Sequence, residues 1–212
     1  MKHILITRML YEVDNPKFEE RLALYKTLCL PRLKLQTEKN FDIGVLCNKA
    51  HANIFKDLGI IPFHRKDNWL GQKPDRFWSC MTKWGEIEGL EKYDIQSNLD
   101  SDDLVSSEYI KRIQAAVQKE INGGFTGSLH IHFQPRLFDL HTLTDGTQKK
   151  RYDDEEGSAF YSLYQPDKEN YVYVGQDSHR RMASYMDKTI LIGEGYCWMN
   201  IHGGNDSTTI NS

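Results

Sequence analysis

The chain has 212 residues, 39% of them hydrophobic and 27% charged, and carries a formal net charge of −3 at pH 7. That length and composition suit one large globular domain with a substantial core. They argue against a membrane-spanning protein, because no apolar stretch approaches the ~20 residues a span needs, and the slight negative charge predicts neither nucleic acid nor a membrane surface as partner.

The opening MKHILITR has too short an apolar run before Arg8 to read as a signal peptide. Lys2 to Thr7 reads as a buried first strand, with Thr7 and Arg8 at its carboxyl end. Asp14-Asn15-Pro16 breaks the chain. Helical spacing follows from Phe18 to Leu30 (Phe18, Leu22, Tyr25, Leu28, Cys29), and Pro31 is expected to end it. Phe41 to Cys47 predicts a second strand, His51 to Leu58 a short helix stopped by Gly59, and Ile60 to His64 a third strand. Asp67 to Pro74 is a loop, and Phe77 to Leu90 a helix with Phe77, Met81, Trp84 and Ile87 on one face. This alternation predicts βαβ units and a largely parallel sheet.

Tyr109 to Ile121 is a second amphipathic helix, closed by Asn122-Gly123-Gly124. The texture then turns to strands: Leu129 to Leu137 alternates, and Ser158 to Tyr164 and Tyr171 to Val174 are aromatic strands. Thr144 to Gly157, with KKR followed by DDEE, is a solvated polar loop. Asp177 begins a short helix, Thr189 to Ile192 makes another strand, and Tyr196 to Gly204 closes the ordered part. Residues 1–204 are thus expected to form one α/β domain, with 205–212 the start of a linker to a further domain. Cys29, Cys47, Cys80 and Cys197 lie far apart with no C-x-x-C pair, so reduced, mostly buried thiols in a cytoplasmic protein are expected.

The stretch Tyr93 to Ser107 (YDIQSNLDSDDLVSS) carries the chemistry. An apolar strand runs into Asp100, Asp102 and Asp103, where open α/β sheets bind ligands. Asp-x-Asp brings two hard oxygen ligands together, which suits Mg²⁺ or Mn²⁺ bridging a diphosphate. The plainer reading is a polar strand-to-helix loop with an N-cap. Three acids in four residues repel one another unless a cation or donors offset them, which favours a site.

Several stretches together resemble one family. Thr7-Arg8, LPRLKLQT (30–37), LDSDD (99–103), SHRRM (178–182) and WMNIHGGN (198–205) are similar in kind and order to the rhamnosyltransferase group of GT-A glycosyltransferases. Within that group the chain looks like the glycosyltransferase domain of a large multidomain viral protein. The resemblance implies a GT-A-like α/β domain with a mostly parallel mixed sheet flanked by helices. It implies transfer of a sugar, rhamnose by the family's pattern, from a UDP-sugar to a glycan or glycoprotein acceptor, with inversion. It points to Thr7, Arg8, Asn68 and Arg76 for the nucleotide, and to Asp100, nearer the ribose, with Asp103 for the donor. Asp102 is the implied direct ligand of Mn²⁺ or Mg²⁺, with Asp100 and His202 completing the metal set. Asp177 is the implied catalytic base, although an Asp ahead of Ser-His-Arg-Arg equally suits a helix N-cap. The chain departs from the pattern at Asn98, where an arginine is expected.

Other residues stay open. Asp154, Glu155 and Glu156 are alternative bases, and His179, Arg180 and Arg181 could meet phosphate or solvent. Phe160, Tyr161, Tyr164, Tyr171, Tyr173, Tyr196 and Trp198 could stack on sugars or fill the core, while Trp69 sits in a polar loop beside a glycine. Retaining transfer from UDP-glucose, a sugar nucleotidyltransferase and a carbohydrate-binding module are the competing functions. The absence of glycine in MLYEVDNP counts against the nucleotidyltransferase, and the clustered acids against a simple binding module.

Overall fold

The computed structural model describes residues 1–11, 13–65, 87–139, 144–145, 160–169, 171–175, 179–193 and 195–201, with the side chains of 136–139, 144–145, 179–180 and 199–201 left aside. Among these residues, seven strands form one sheet: β1 (His3–Met9), β2 (Asp42–Cys47), β3 (Ile61–Phe63), β4 (Ile95–Leu99), β6 (Leu129–Phe133), β9 (Tyr161–Tyr164) and β10 (Lys188–Ile192). Their order is β10-β6-β9-β4-β1-β2-β3. Every pairing is parallel except those of β9, which runs against β4 and β6. The expected mixed, mostly parallel sheet is therefore present, and β1, β2, β3, β4, β6 and β10 all end at one edge.

Both faces of the sheet are covered, so strand residues of either parity are buried. One face carries Leu5, Met9, Val45, Ile95, Leu99 and Ile131 against the helices, and the other carries Ile4, Ile6, Leu46, Phe63, Tyr161 and Leu163. The first helix begins where Asn15 accepts the Lys17 N–H at 3.0 Å and Pro16 fills the first turn. It does not end at Pro31. Helix α1 (Pro16–Leu24) passes through a π turn at Tyr25–Cys29 into α2 (Leu30–Lys34). Because the Leu30 N–H reaches back to the Tyr25 carbonyl, the register is already displaced when Pro31 arrives, and its missing N–H falls in a fresh first turn.

Helix α3 (Ala52–Asp57) stops at Gly59, whose φ of 75° an L side chain rarely adopts. Helix α4 (Tyr109–Asn122) packs Ile110, Ile113 and Val117 on the sheet. The alternating run expected as one strand from Leu129 to Leu137 splits at Gln134-Pro135. Its first half, β6, stays in the main sheet, and its second, β7 (Arg136–Asp139), joins a four-stranded sheet with β5 (Leu104–Val105), β8 (Thr144–Asp145) and β11 (Cys197–Ile201). Proline cannot donate to a ladder, so the chain changes sheets there.

Tyr171 to Val174 is not a strand. It runs over the sheet, and two glutamine side chains take the place of a partner strand. Gln165 accepts the Val172 N–H at 2.7 Å and donates to its carbonyl at 2.6 Å. Gln96 donates to the same carbonyl and accepts the Val174 N–H, both at 3.2 Å. Aromatic, β-prone side chains mark the segment, but its hydrogen bonds come from amides whose positions no local pattern gives. The following helix is short, α5 (His179–Met182) running into a 3₁₀ turn to Tyr185.

Of the buried histidines, two bear on the pH dependence of this framework. His3 is bonded through Nε2 to Ser97 Oγ at 2.7 Å, and Ser97 to Ser162 at 2.6 Å, a polar chain across β1, β4 and β9. Burial lowers the His3 imidazole from its ordinary 6.5 to about 3. Burial, and then the neighbouring His132, lowers His130 to about 4. Both stay neutral in the fold, whereas in the unfolded chain they take up a proton below pH 6.5. Their contribution is therefore flat above pH 6.5 and turns against the fold as pH falls toward 4 and 3. Each histidine is expected to cost about 1.4 kcal/mol of stability per pH unit in that window. Urea unfolding at pH 7 and pH 5 checks this: in His3→Gln the acid-side loss should shrink by about 2 kcal/mol relative to the parent.

Candidate functional site

The acids follow β4 without a break. Asp100 is half-buried, whereas Ser101, Asp102 and Asp103 are buried, and the Asp103 N–H closes a turn on the Asp100 carbonyl at 3.2 Å. The turn lies at the carboxyl end of the central strand, between the end of β1 and the start of β9, which is the ligand edge of such a sheet.

Buried acids need a counter-charge, and Arg21 of α1 supplies one: its guanidinium hydrogen-bonds and ion-pairs with the Asp102 carboxylate. Both side chains are at most 10% exposed, so the pair is buried. Sequence reading passed over Arg21. A signal existed, because Arg21 falls three residues after Phe18 and four before Tyr25, on the helix's apolar face where a charge is out of place. The π turn that follows lies against the same acids. The Cys29 thiol is pushed well above its usual range first by burial and then by Asp103, Asp102 and Asp100. Burial and then Asp103 do the same to Cys197. These cysteines, with Cys47, are free and buried, as expected for reduced structural thiols, while Cys80 lies outside the described residues.

The segment LPRLKLQT has a structural task in this neighbourhood. Gln36 is fully buried, donates to the Ser106 carbonyl at 2.6 Å and accepts the Ile110 N–H at 3.0 Å. Thr37 donates its N–H to the Ser107 carbonyl at 2.8 Å. The start of α4 is thus capped from a distant loop. Glu108, at the cap position, makes no side-chain cap bond. Together with Arg21, this ties the helix after β1 to both sides of the acid turn.

The other expected residues fall as follows. Thr7 is wholly buried on the helix-covered face, and Arg8, one step on, is half-buried on the opposite face at the same edge. Tyr161 begins β9 at that edge, beside Arg8 and Asp100. Asn98 is buried next to the turn. Phe160, Tyr161 and Tyr164 are core residues, and Tyr171, Tyr173 and Tyr196 are partly buried. Arg181 is exposed. Asn68, Trp69, Arg76, Asp154, Glu155, Glu156, Asp177 and His202 lie outside the described residues. Among the described residues, no group of three or more His, Cys, Asp or Glu side chains is arranged to hold a metal ion, and no helix is long and apolar enough to cross a membrane.

Comparison with known proteins extends this picture. The family model described as "Putative rhamnosyl transferase" matches residues 5–212. No curated protein matches the chain. Among solved structures, S. aureus TarS 1–349 in complex with UDP-GlcNAc is similar at 12% identity and a TM-score of 0.57, covering 100% of this chain and 62% of that one. The same fragment in complex with UDP gives 11% identity, a TM-score of 0.53 and coverages of 95% and 61%. A further S. aureus TarS structure gives 12%, 0.54, 95% and 37%. At such identities the likeness is one of fold, and it agrees with the GT-A-like architecture expected. The chain spans 37% to 62% of the length of these structures.

The Arg21–Asp102 pair carries a prediction. Arg21→Met leaves a buried carboxylate without its partner and should cost about 3–5 kcal/mol of stability. Adding Asp102→Asn should restore much of that loss, a coupling that a double-mutant cycle in urea unfolding measures directly.

Proposed function

The chain belongs to the rhamnosyl transferase family whose model covers residues 5–212, and from that premise we propose that it is a glycosyltransferase moving a sugar from a UDP-sugar donor to a glycan or glycoprotein acceptor. Rhamnose is the sugar the family description suggests. The observation that carries this reading is the acid turn at the carboxyl end of β4, with Arg8 at the same edge: a guanidinium there can pair with phosphate, and the carboxylates could hold the divalent cation that offsets a diphosphate's charge. The complexes of S. aureus TarS with UDP-GlcNAc and with UDP support the donor class. Three free, buried cysteines support work in a reducing compartment such as the cytoplasm. We take residues 1–204 as the catalytic domain.

Asp100, Asp102 and His202 are the proposed ligands of a Mn²⁺ or Mg²⁺ ion, since hard carboxylate oxygens with an imidazole are the donors such ions accept. When bound, the cation would neutralise the leaving diphosphate. Within the chain itself, Arg21 holds Asp102 in place, and the buried approach strand keeps the turn rigid. Asp177 is the proposed base that removes the acceptor hydroxyl's proton, on the face opposite the leaving group, so that configuration inverts.

A panel of nucleotide sugars tests the reading. At least one UDP-sugar should raise the melting temperature, more so with Mn²⁺ present, and release UDP when an acceptor is added. If none does either, the chain is not a transferase of this kind. Asp177→Asn keeps size and capping ability while removing basicity, so kcat should fall on the order of 10² to 10⁴. Near-normal turnover would make Asp177 a cap, and product of retained configuration would reject inversion.

A further inference from the structure

Strand register brings an unassigned tyrosine to the centre of the ligand edge. Ile6 stands level with Asn98 across β1 and β4, and His132 lies opposite Tyr161 across β6 and β9. Tyr161 shares the face of Ile4, Ile6 and Leu163, not that of the helices. Arg8 and Asp100 lie at the end of this row, and the charges of both reach the Tyr161 hydroxyl. The ring is 2% exposed and packs 5.7 Å from that of His130.

One further contact fixes the hydroxyl. The Gly175 N–H donates to Tyr161 Oη at 2.8 Å, from a backbone with φ of 79° that suits glycine. Gln96 and Gln165 hold the residues just before Gly175, so this donor is anchored. A phenol oxygen that accepts from an amide still has its own O–H to donate, and that proton can go only to an acceptor. Burial pushes the phenol above its ordinary value, so the hydroxyl is a donor. The group is a fixed donor beside a guanidinium and a carboxylate.

We propose that Tyr161 is a donor-site binding residue whose hydroxyl, pinned by the Gly175 N–H, donates to a phosphate oxygen of the nucleotide diphosphate bound at Arg8. This rests on the nucleotide-sugar reading above. It adds a contact from the one strand of the sheet that runs against its neighbours. Because β9 is antiparallel, its first residue, and not its last, reaches the ligand edge.

The test is calorimetry with UDP, and NMR titration with uridine, on the full chain and on Tyr161→Phe. Removing a hydrogen bond to a charged oxygen should weaken UDP roughly 10- to 100-fold. Uridine, which lacks phosphates, should bind both proteins alike. Tyr164→Phe, on the same strand but the opposite face, should bind UDP as the parent does. Equal losses for UDP and uridine, or no loss for UDP, would overturn the assignment while leaving the donor reading intact. A Tyr161→Phe chain that fails to fold would also overturn it, by making the hydroxyl a structural group. A parent chain that binds no nucleoside diphosphate would sink the donor reading, and this contact with it.

Discussion

The buried ion pair between Arg21 and Asp102 is the constraint on which the ligand edge depends. Three carboxylates within four residues do not settle into a turn shielded from water unless something offsets their repulsion. Arg21 does so from the helix that follows β1, so the charge problem of the β4 turn is solved by the β1 connection. A buried pair of this kind is a poor stabiliser compared with apolar packing, because desolvation consumes most of the Coulomb energy. What it supplies here is position: helix and turn cannot slide past each other without stranding a charge. The π turn at Tyr25–Cys29 belongs to the same arrangement. It shifts the helix register after Arg21 and lets the chain run through Pro31 to Gln36, which caps α4 on the far side of the acids.

A second theme is the use of side-chain amides where backbone partners are missing. Gln36, Gln96 and Gln165 are all buried, and each bonds backbone groups of another segment. Neutral amides tolerate burial when both ends are satisfied, which a charged side chain in the same place would not. Gln96 and Gln165 fasten the run from Tyr171 to Val174 to the sheet, and Gly175 then meets Tyr161. The covering of one sheet face and the geometry at its edge thus come from the same set of hydrogen bonds.

These two devices meet at the edge where the parallel strands end. The helix-covered face contributes the Arg21–Asp102 pair, and the opposite face contributes Arg8, Tyr161 and the histidines of β6. The acid turn lies between them. Family membership and the likeness of fold agree with the GT-A-like architecture, whose ligand edge this is.

Local pattern was enough for the strands of the first hundred residues, for α4, and for the acid turn at the end of the central strand. Periodicity of buried residues and glycine stops at Gly59 and Gly124 are local properties, and they survive folding unchanged. Composition likewise anticipated buried, reduced thiols. Tertiary structure decided the rest. Pro31 reads as a stop because the sequence carries no mark of a π turn ahead of it. Tyr171 to Val174 reads as a strand because its side chains suit one, yet its partners are glutamines 7 and 76 residues away in sequence. Leu129 to Leu137 alternates throughout but changes sheets at Gln134-Pro135, since alternation reports which residues are buried and not which neighbour buries them. Arg21 and Tyr161 acquired their roles only when β1, β4 and β9 came together. A charge or hydroxyl becomes part of a site through what stands opposite it, and in this chain those partners are 81 and 14 residues away.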